Sequence, residues 1–153
     1  MAQGFNWAYN MHGGDPIVHV YVMQDTETLT KGDLISLQTS GRADLAATAD
    51  TDMVGMMLGP DTPSEGKVGE PGVVEGTTAV TRVKVQINPD AVYEDIDDTS
   101  ARNPGVTLDI SGATGAMALA TSSNTDVIVV GRKEQAGDPT RFIIIQSSHI
   151  YMK

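Results

Sequence analysis

The chain has 153 residues, with ten basic and twenty acidic side chains and a formal net charge of −10. This charge disfavours direct binding to nucleic acid or to an anionic membrane, because both are negatively charged and no Lys/Arg stripe offsets the repulsion. The absence of cysteine excludes disulfides, thiol catalysis and thiolate metal ligands. The length is typical of one domain, and the apolar content of 40% is sufficient for a core.

The first sixteen residues, MAQGFNWAYNMHGGDP, differ in composition from the rest of the chain. Phe5, Trp7 and Tyr9 occupy alternate positions, and in an extended segment such spacing places three rings on one side. Two interpretations remain open, a first strand packed on the protein's own core or an extended arm (residues 1–16) that anchors on a neighbouring protein. In the second, Phe5, Trp7, Tyr9 and Met11 are the predicted partner-binding residues, because interfaces are enriched in such side chains. The segment lacks the basic and apolar regions of a signal peptide, so none is expected.

Residues 17–153 are predicted to form one all-β domain, either a small antiparallel barrel or a sandwich. The central unit is residues 29–58, in which short apolar runs are bounded by Gly, Asp, Ser and Thr, as is typical of strands joined by turns. The predicted strands cover residues 17–22, 34–37, 53–58, 79–87, 91–93, two segments within 106–121, 126–130 and 141–145. The last two strands are expected to form a hairpin.

Strand 79–87 has the clearest alternation in the chain. Its pattern predicts that Val83, Val85 and Ile87 face the core and that Arg82, Lys84 and Gln86 face water. The C-terminal residues after the last hairpin, 146–153, hold His149, Tyr151 and Met152 and could pair with another strand.

Two acidic segments are predicted to be exposed loops. Residues 59–78 contain three prolines and five glycines, with a short strand at residues 73–74. Residues 94–98 carry four carboxylates in five positions, but they lack the central glycine and terminal glutamate of a calcium loop. A solvated acidic loop is therefore the interpretation, and no metal site is predicted.

Motifs for catalysis are not found in the sequence. The three histidines, His12, His19 and His149, lack metal-ligand spacing, and there is no nucleophile elbow, Walker-type phosphate loop or dinucleotide fingerprint. The sequence therefore predicts no catalytic residue, no cofactor and no enzymatic activity.

Three stretches together resemble the small β-rich head decoration, or capsid cement, proteins of tailed bacteriophages. They are LTKGDLISLQTSGRADLAATADTDMVGMML, TRVKVQINPDAVYED and DVIVVGRKEQAGDPTRFIIIQSSHIYMK, which cover about half of the chain. The shared pattern is a KGD turn entering a strand, a second strand ending in VGMML, and a late hairpin closing with an apolar strand. The long acidic loop at 59–78 departs from this pattern.

The resemblance implies a structural protein on the outside of an icosahedral phage capsid, where it stabilises the shell through contacts with the major capsid protein. It also implies homo-oligomers, often trimers, that use terminal arms for attachment. Two other function classes stay open. One is a carbohydrate- or protein-binding β-module, for which Trp7, Tyr9, Tyr93 and Tyr151 are the candidate aromatic platform. The other is an enzyme with a site between subunits.

Overall fold

A computed structural model describes residues 4–76, 81–121, 124–131, 138–146 and 148–152. Within these ranges the chain forms thirteen strands and two three-residue 3₁₀ helices, at Pro63–Glu65 and Ile150–Met152. The strands are β1 (Asn6–Asn10), β2 (Val18–Val22), β3 (Thr28–Thr30), β4 (Leu34–Leu37), β5 (Ala43–Leu45), β6 (Met53–Pro60), β7 (Val73–Glu75), β8 (Arg82–Gln86), β9 (Ala91–Asp95), β10 (Thr107–Ser111), β11 (Ala118–Thr121), β12 (Val127–Val129) and β13 (Thr140–Ile144). Over the described ranges, none of the helices has the length and apolar character needed to span a membrane.

The strands form three antiparallel sheets. A six-stranded sheet has the order β1-β9-β13-β12-β10-β11, a five-stranded sheet has the order β2-β8-β6-β4-β5, and β3 pairs with β7. The all-β prediction is confirmed in its sandwich form, and the described strands do not close into a barrel. The two edges of the five-stranded sheet do approach at one end, where Met23 makes a single bridge to Ala43.

Two hydrophobic clusters cover the five-stranded sheet on both of its faces. The first cluster lies between the two large sheets and joins Leu34, Met53 and Met56 to Tyr93 and Phe142 of the six-stranded sheet. The second joins residues of the other face to the β3–β7 ribbon, and its members are Tyr21, Met23, Leu29, Ile35, Ala43, Val54, Met57, Val74, Val83 and Val85. Because both faces are buried, β4 and β6 read as nearly continuous apolar runs rather than as alternating ones.

Methionine fills much of this interior, since aromatic residues make up only 5% of the chain. Of the methionines whose side chains the structure describes, five are buried, namely Met23, Met53, Met56, Met57 and Met117. The Met117 sulfur accepts a hydrogen bond from the Leu34 amide at 3.2 Å. Thioether side chains adapt to irregular space, so they are suited to filling a core that has few aromatic rings.

The predicted strand positions agree with the observed ones within a few residues. The prediction of a wet face on β8 is wrong at Gln86, which is fully buried. Its side-chain nitrogen donates to Asn10 Oδ1 at 3.2 Å and to Asn88 Oδ1 at 3.4 Å. Gln86 faces the six-stranded sheet across the sandwich, where Asn10 and Asn88 accept from its side-chain nitrogen, while its Oε1 has no hydrogen-bond partner among the described residues.

Residues 59–78 are only partly an exposed loop. As predicted, they contain a short strand, β7, and this strand places Val74 in the second cluster. Lys67 holds the rest of the loop through ion pairs with Glu70 at 2.8 Å and Glu75 at 3.1 Å. Residues 77–80 and residues 132–137 of the loop between β12 and β13 lie outside the described ranges.

An N-terminal arm is not confirmed. Residues 6–10 form β1, which pairs with β9 as the edge strand of the six-stranded sheet. The Phe5 ring is buried in the first cluster and makes an edge contact with Phe142 at a centroid distance of 4.9 Å. The described part of the segment therefore belongs to the protein's own sandwich, because the burial of Phe5 fixes its start.

Asp33 of the KGD turn ties two loops together from a buried position. Its carboxylate accepts hydrogen bonds from the Thr30 amide at 2.8 Å, the Thr114 hydroxyl at 2.6 Å and the Gly115 amide at 2.8 Å. Burial raises the pKa of Asp33 above its ordinary value, although these three donors act in the opposite direction. The turn thus fixes the loop between β10 and β11 from the other sheet.

The prediction of a solvated acidic loop at 94–98 is wrong at two of its carboxylates. Asp95 is buried and accepts from the Leu119 amide at 3.2 Å. Asp98 is largely buried, pairs with Arg102 Nε at 2.9 Å and accepts from the Thr140 hydroxyl at 2.6 Å. Burial acts to raise the pKa of Asp98, but its hydrogen bonds and the Arg102 charge outweigh this and lower it. Both acids hold the sheet in place rather than face solvent.

The C-terminal segment packs on its own chain. His149 is buried and makes a parallel bridge to Met53 of β6, and Ile150 packs against the second cluster. The Tyr151 hydroxyl lies 2.5 Å from the Tyr21 hydroxyl. Within the described ranges, the pairing of this segment with another strand is limited to that one bridge, and residues 150–152 form a 3₁₀ helix. Burial lowers the pKa of His149 from 6.5 to about 4.

We predict that Asp33→Ala destabilises the fold by about 3 kcal/mol, because it removes the shared acceptor of two partly buried backbone amides and a hydroxyl. Urea unfolding at neutral pH measures this change. Asp15→Ala, at an exposed carboxylate, is the matched control and should stay within about 0.5 kcal/mol of the parent. A parent-like Asp33→Ala variant would contradict the role of the turn.

We predict that part of the stability is lost as the pH falls from 6.5 towards 4. In this window the unfolded chain protonates His149 while the folded chain keeps it neutral, so the unfolded state binds more protons. The free energy of unfolding should be lower at pH 5.0 than at pH 7.5. This decrease should be smaller in His149→Gln than in the parent, by on the order of 1 kcal/mol. His19→Gln, at an exposed histidine, should keep the full parental loss, and an equal loss in all three proteins would refute the assignment.

Candidate partner-binding surface

The outer face of the six-stranded sheet, which is turned away from the five-stranded sheet, carries a row of apolar side chains. Tyr93 and Phe142 point inward into the first cluster, so their strand neighbours Val92 and Ile143 lie on the outer face. Tyr9 is directly opposite Val92, and Ile143 is directly opposite Ile128. Directly opposite residues share a face, so the row crosses β1, β9, β13 and β12. Tyr9 is its exposed member, Ile128 and Ile143 are half-buried, and Val92 is fully buried.

A β-bulge places Tyr9 in this row. The register of β1 against β9 shifts between Trp7, which is opposite Tyr93, and Tyr9, which is opposite Val92. Two residues of β1 therefore correspond to one step of β9, which turns Tyr9 to the face opposite to Trp7. The prediction that Phe5, Trp7 and Tyr9 share one side is wrong for this reason.

Beside the row lies a groove of about 540 Å³. It is formed by the turn after β1 and the turn before β9, and its lining residues are Met11, His12, Gly13, Pro89, Asp90 and Ile143. Methionine, proline and isoleucine make it largely apolar. A groove of this kind suits a single apolar side chain of a protein partner better than an extended polar ligand.

Hydrogen bonds between the two turns hold the groove open. The His12 amide donates to Asp90 Oδ2 at 2.9 Å, His12 Nδ1 lies 3.1 Å from the same oxygen, and the Met11 amide donates to the Asp90 carbonyl at 3.0 Å. Partial burial acts to raise the pKa of Asp90, but the hydrogen bonds from His12 prevail and lower it. Asp90 therefore stays ionised and keeps Met11 at the rim.

A polar network behind the groove fixes β1 against the five-stranded sheet. Asn10 Oδ1 accepts from Trp7 Nε1 and from Gln86 Nε2, both at 3.2 Å. The Ile17 amide donates to Asn88 Oδ1 at 2.6 Å. The surface thus rests on a hydrogen-bonded side-chain network, so its shape is set before any partner binds.

One cation borders the row. The Arg141 guanidinium lies 5.9 Å from the centre of the Tyr9 ring, and its Nε is 3.3 Å from Glu94 Oε2. The Arg141 side chain thus lies against the Tyr9 ring and, paired with Glu94, forms a polar border to the apolar area. Arginine next to an aromatic ring is a frequent combination at protein interfaces.

The four predicted partner-binding residues fall into different environments. Phe5 is buried in the core, so its assignment as a contact residue is corrected, and Trp7 is half-buried against the same cluster. Tyr9 and Met11 are 45% and 53% exposed and lie on the outer face and at the groove rim. The sequence did not indicate His12, Asp90 or Ile143, because their proximity arises from contacts far apart along the chain.

The aromatic platform expected for a glycan-binding module does not form as a unit. Tyr93 is buried in the core, and Tyr151 lies against Tyr21 on the side of the second cluster. Tyr9 lies on the outer face of the other sheet. Over the described ranges, no group of three or more His, Asp or Glu side chains is placed to hold a metal ion.

The described surface therefore offers a preformed apolar contact area with exposed Tyr9 and Met11. Comparison with known proteins adds no assignment to it: the sequence matches no protein-family model and no curated protein.

Proposed function

We propose that the protein is a head decoration protein of a tailed bacteriophage. It binds the outer surface of an icosahedral capsid through the major capsid protein, stabilises the shell and catalyses no reaction. The observation that carries the proposal is the exposed pair Tyr9 and Met11 beside an apolar groove on a rigid sheet face. The resemblance of three sequence stretches to decoration proteins supplies the identity of the partner.

The contact area suits attachment in many copies. A single apolar groove with two exposed anchors gives a modest interface, and its affinity for one site on a shell is correspondingly modest. Association of several copies would let several anchors engage at once and raise the total strength of attachment. The net charge of −10 keeps the chain soluble at high density on a particle surface.

Phe5 does not serve as an anchor in this proposal. It stabilises the edge strand that presents Tyr9, because its ring packs on Phe142 inside the sandwich. Deletion of residues 1–14 would remove this core residue together with the contact surface. A loss of binding in that deletion would therefore not distinguish attachment from folding, so point variants are needed.

We predict that the double variant Tyr9→Ser/Met11→Ser binds undecorated capsids at least tenfold more weakly than the parent, because truncating an anchor residue typically costs more than about 1 kcal/mol. Co-sedimentation of the purified protein with capsids assembled without their decoration protein measures the binding. The urea midpoint of the variant should stay close to that of the parent, since both side chains are exposed.

The matched control is Val68→Ser, which truncates an apolar side chain that is 97% exposed in the loop between β6 and β7. This variant should sediment with capsids as the parent does. Parental binding by the double variant would remove the surface from the proposal. Failure of the parent itself to sediment with capsids would refute the proposed function.

A further inference from the structure

The N-terminal half of β2 has an open edge. The Ile87 amide donates to the Ile17 carbonyl at 2.9 Å, and the Met23 amide donates to the Thr81 carbonyl at 2.8 Å. In an antiparallel ladder the bonded residues alternate, so residues 17, 19, 21 and 23 direct their backbone groups towards β8. The backbone groups of Val18 and Val20 therefore point away from the sheet, where no strand of the described ranges pairs with them.

This edge is limited at both ends. Pro16 precedes it and has no amide to donate, and beyond Val22 the Gln24 amide donates to the Ala43 carbonyl at 2.8 Å. The free stretch is therefore short, and its side chains are apolar and exposed, with Val18 at 44% and Val20 at 40%. It can take one short extended segment and nothing longer.

The other edge strands of the two large sheets are protected in the usual ways. The edge strand β1 contains a bulge, and β5 is only three residues long and includes Asp44. In β11, the Leu119 amide donates a hydrogen bond to the buried Asp95. In contrast, β2 pairs with β8 over five residues without a register shift. It has neither a lysine nor a proline, so it lacks the features that prevent strand addition.

Charge favours a second copy of this chain as the occupant of this edge. The chain carries a net charge of −10, yet no Asp, Glu, Lys or Arg lies between Asp15 and Asp25. Two copies repel one another over most of their surfaces, and the neutral β2 edge is a place where they can approach without like charges meeting. We propose that β2 pairs antiparallel with β2 of a second copy about a two-fold axis, which gives a dimer with a continuous sheet of ten strands.

The orientation of the free amides sets the register of this pairing. The pairing is centred on His19. Val18 of one copy then lies opposite Val20 of the other, and the two residues exchange two hydrogen bonds. The two-fold symmetry repeats this pair. On one face, Val20 then lies between Lys84 of its own copy and Val18 of the other, since Val20 is opposite Lys84 in the sheet. The interface buries four valines and is small, so the dissociation constant is expected in the micromolar range.

This inference is independent of capsid binding, because β2 belongs to the other sheet. It differs from the trimer that the resemblance implies, since pairing of one edge with itself has two-fold symmetry and closes at two copies.

Sedimentation velocity of the purified chain between about 1 and 200 µM tests the proposal. The parent should shift from monomer to dimer with concentration, and Val20→Pro should remain monomeric. Proline at this position removes an amide that β8 does not use, and an edge strand tolerates it there. Because proline alone could disturb the strand, Val20→Lys provides a second variant that keeps the backbone and places a charge at the edge, and it should also remain monomeric.

Val68→Lys, at the exposed loop position, adds the same charge elsewhere and should dimerise as the parent does. Urea midpoints close to that of the parent establish that the variants are folded. A parent that stays monomeric or forms a trimer would overturn the inference, as would dimers of Val20→Pro and Val20→Lys that match the parent. Capsid sedimentation of Val20→Lys in parallel separates this result from that of the proposed function.

Discussion

Burial of the five-stranded sheet on both faces is the constraint on which the rest of the structure depends. Its strands β4 and β6 contribute to the cluster between the large sheets and to the cluster under the β3–β7 ribbon. A sheet covered on both sides cannot offer a contact face. The surfaces left for partner contacts are the outer face of the six-stranded sheet and the free half of the edge strand β2. The two proposals rest on these surfaces.

Buried carboxylates connect the layers in a chain with little aromatic surface. Asp126 accepts hydrogen bonds from the Thr48 hydroxyl, the Ala49 amide and the Ile110 amide, at 2.9–3.1 Å, much as Asp33 joins the KGD turn to the loop between β10 and β11. Each acid satisfies loop amides that would otherwise be buried without partners. Part of the acidic composition therefore serves the fold, and only the remainder contributes to surface charge.

The sequence was informative where a local pattern determines the structure. The alternation of apolar and polar residues, together with turn residues, predicted most strands. A strand with one buried face alternates in sequence, and glycine marks the turns. These patterns failed where a distant segment decides. The buried Gln86 meets Asn10, 76 positions away, and the largely buried Asp98 meets Thr140, 42 positions away. Neither contact has a period that a single sequence could show.

The candidate surface was predictable in composition but not in geometry. The aromatic start of the chain indicated Tyr9 and Met11, yet the same pattern also selected Phe5, because a bulge leaves no signal in the spacing of side chains. His12 and Asp90 are separated by 78 positions, and the turns that carry them look ordinary in isolation. Their proximity follows only from the pairing of β1 with β9.

The methionine-rich interior has a consequence for the lifetime of the protein. While the chain is folded, the sulfurs between the sheets are shielded from peroxide and similar reagents, which attack exposed thioethers most readily. During synthesis or a transient opening, that shield is absent, and each sulfoxide formed would place a polar group where the sandwich has room only for an apolar one. Methionine oxidation would therefore reduce the ability of the chain to refold before it damages the native state.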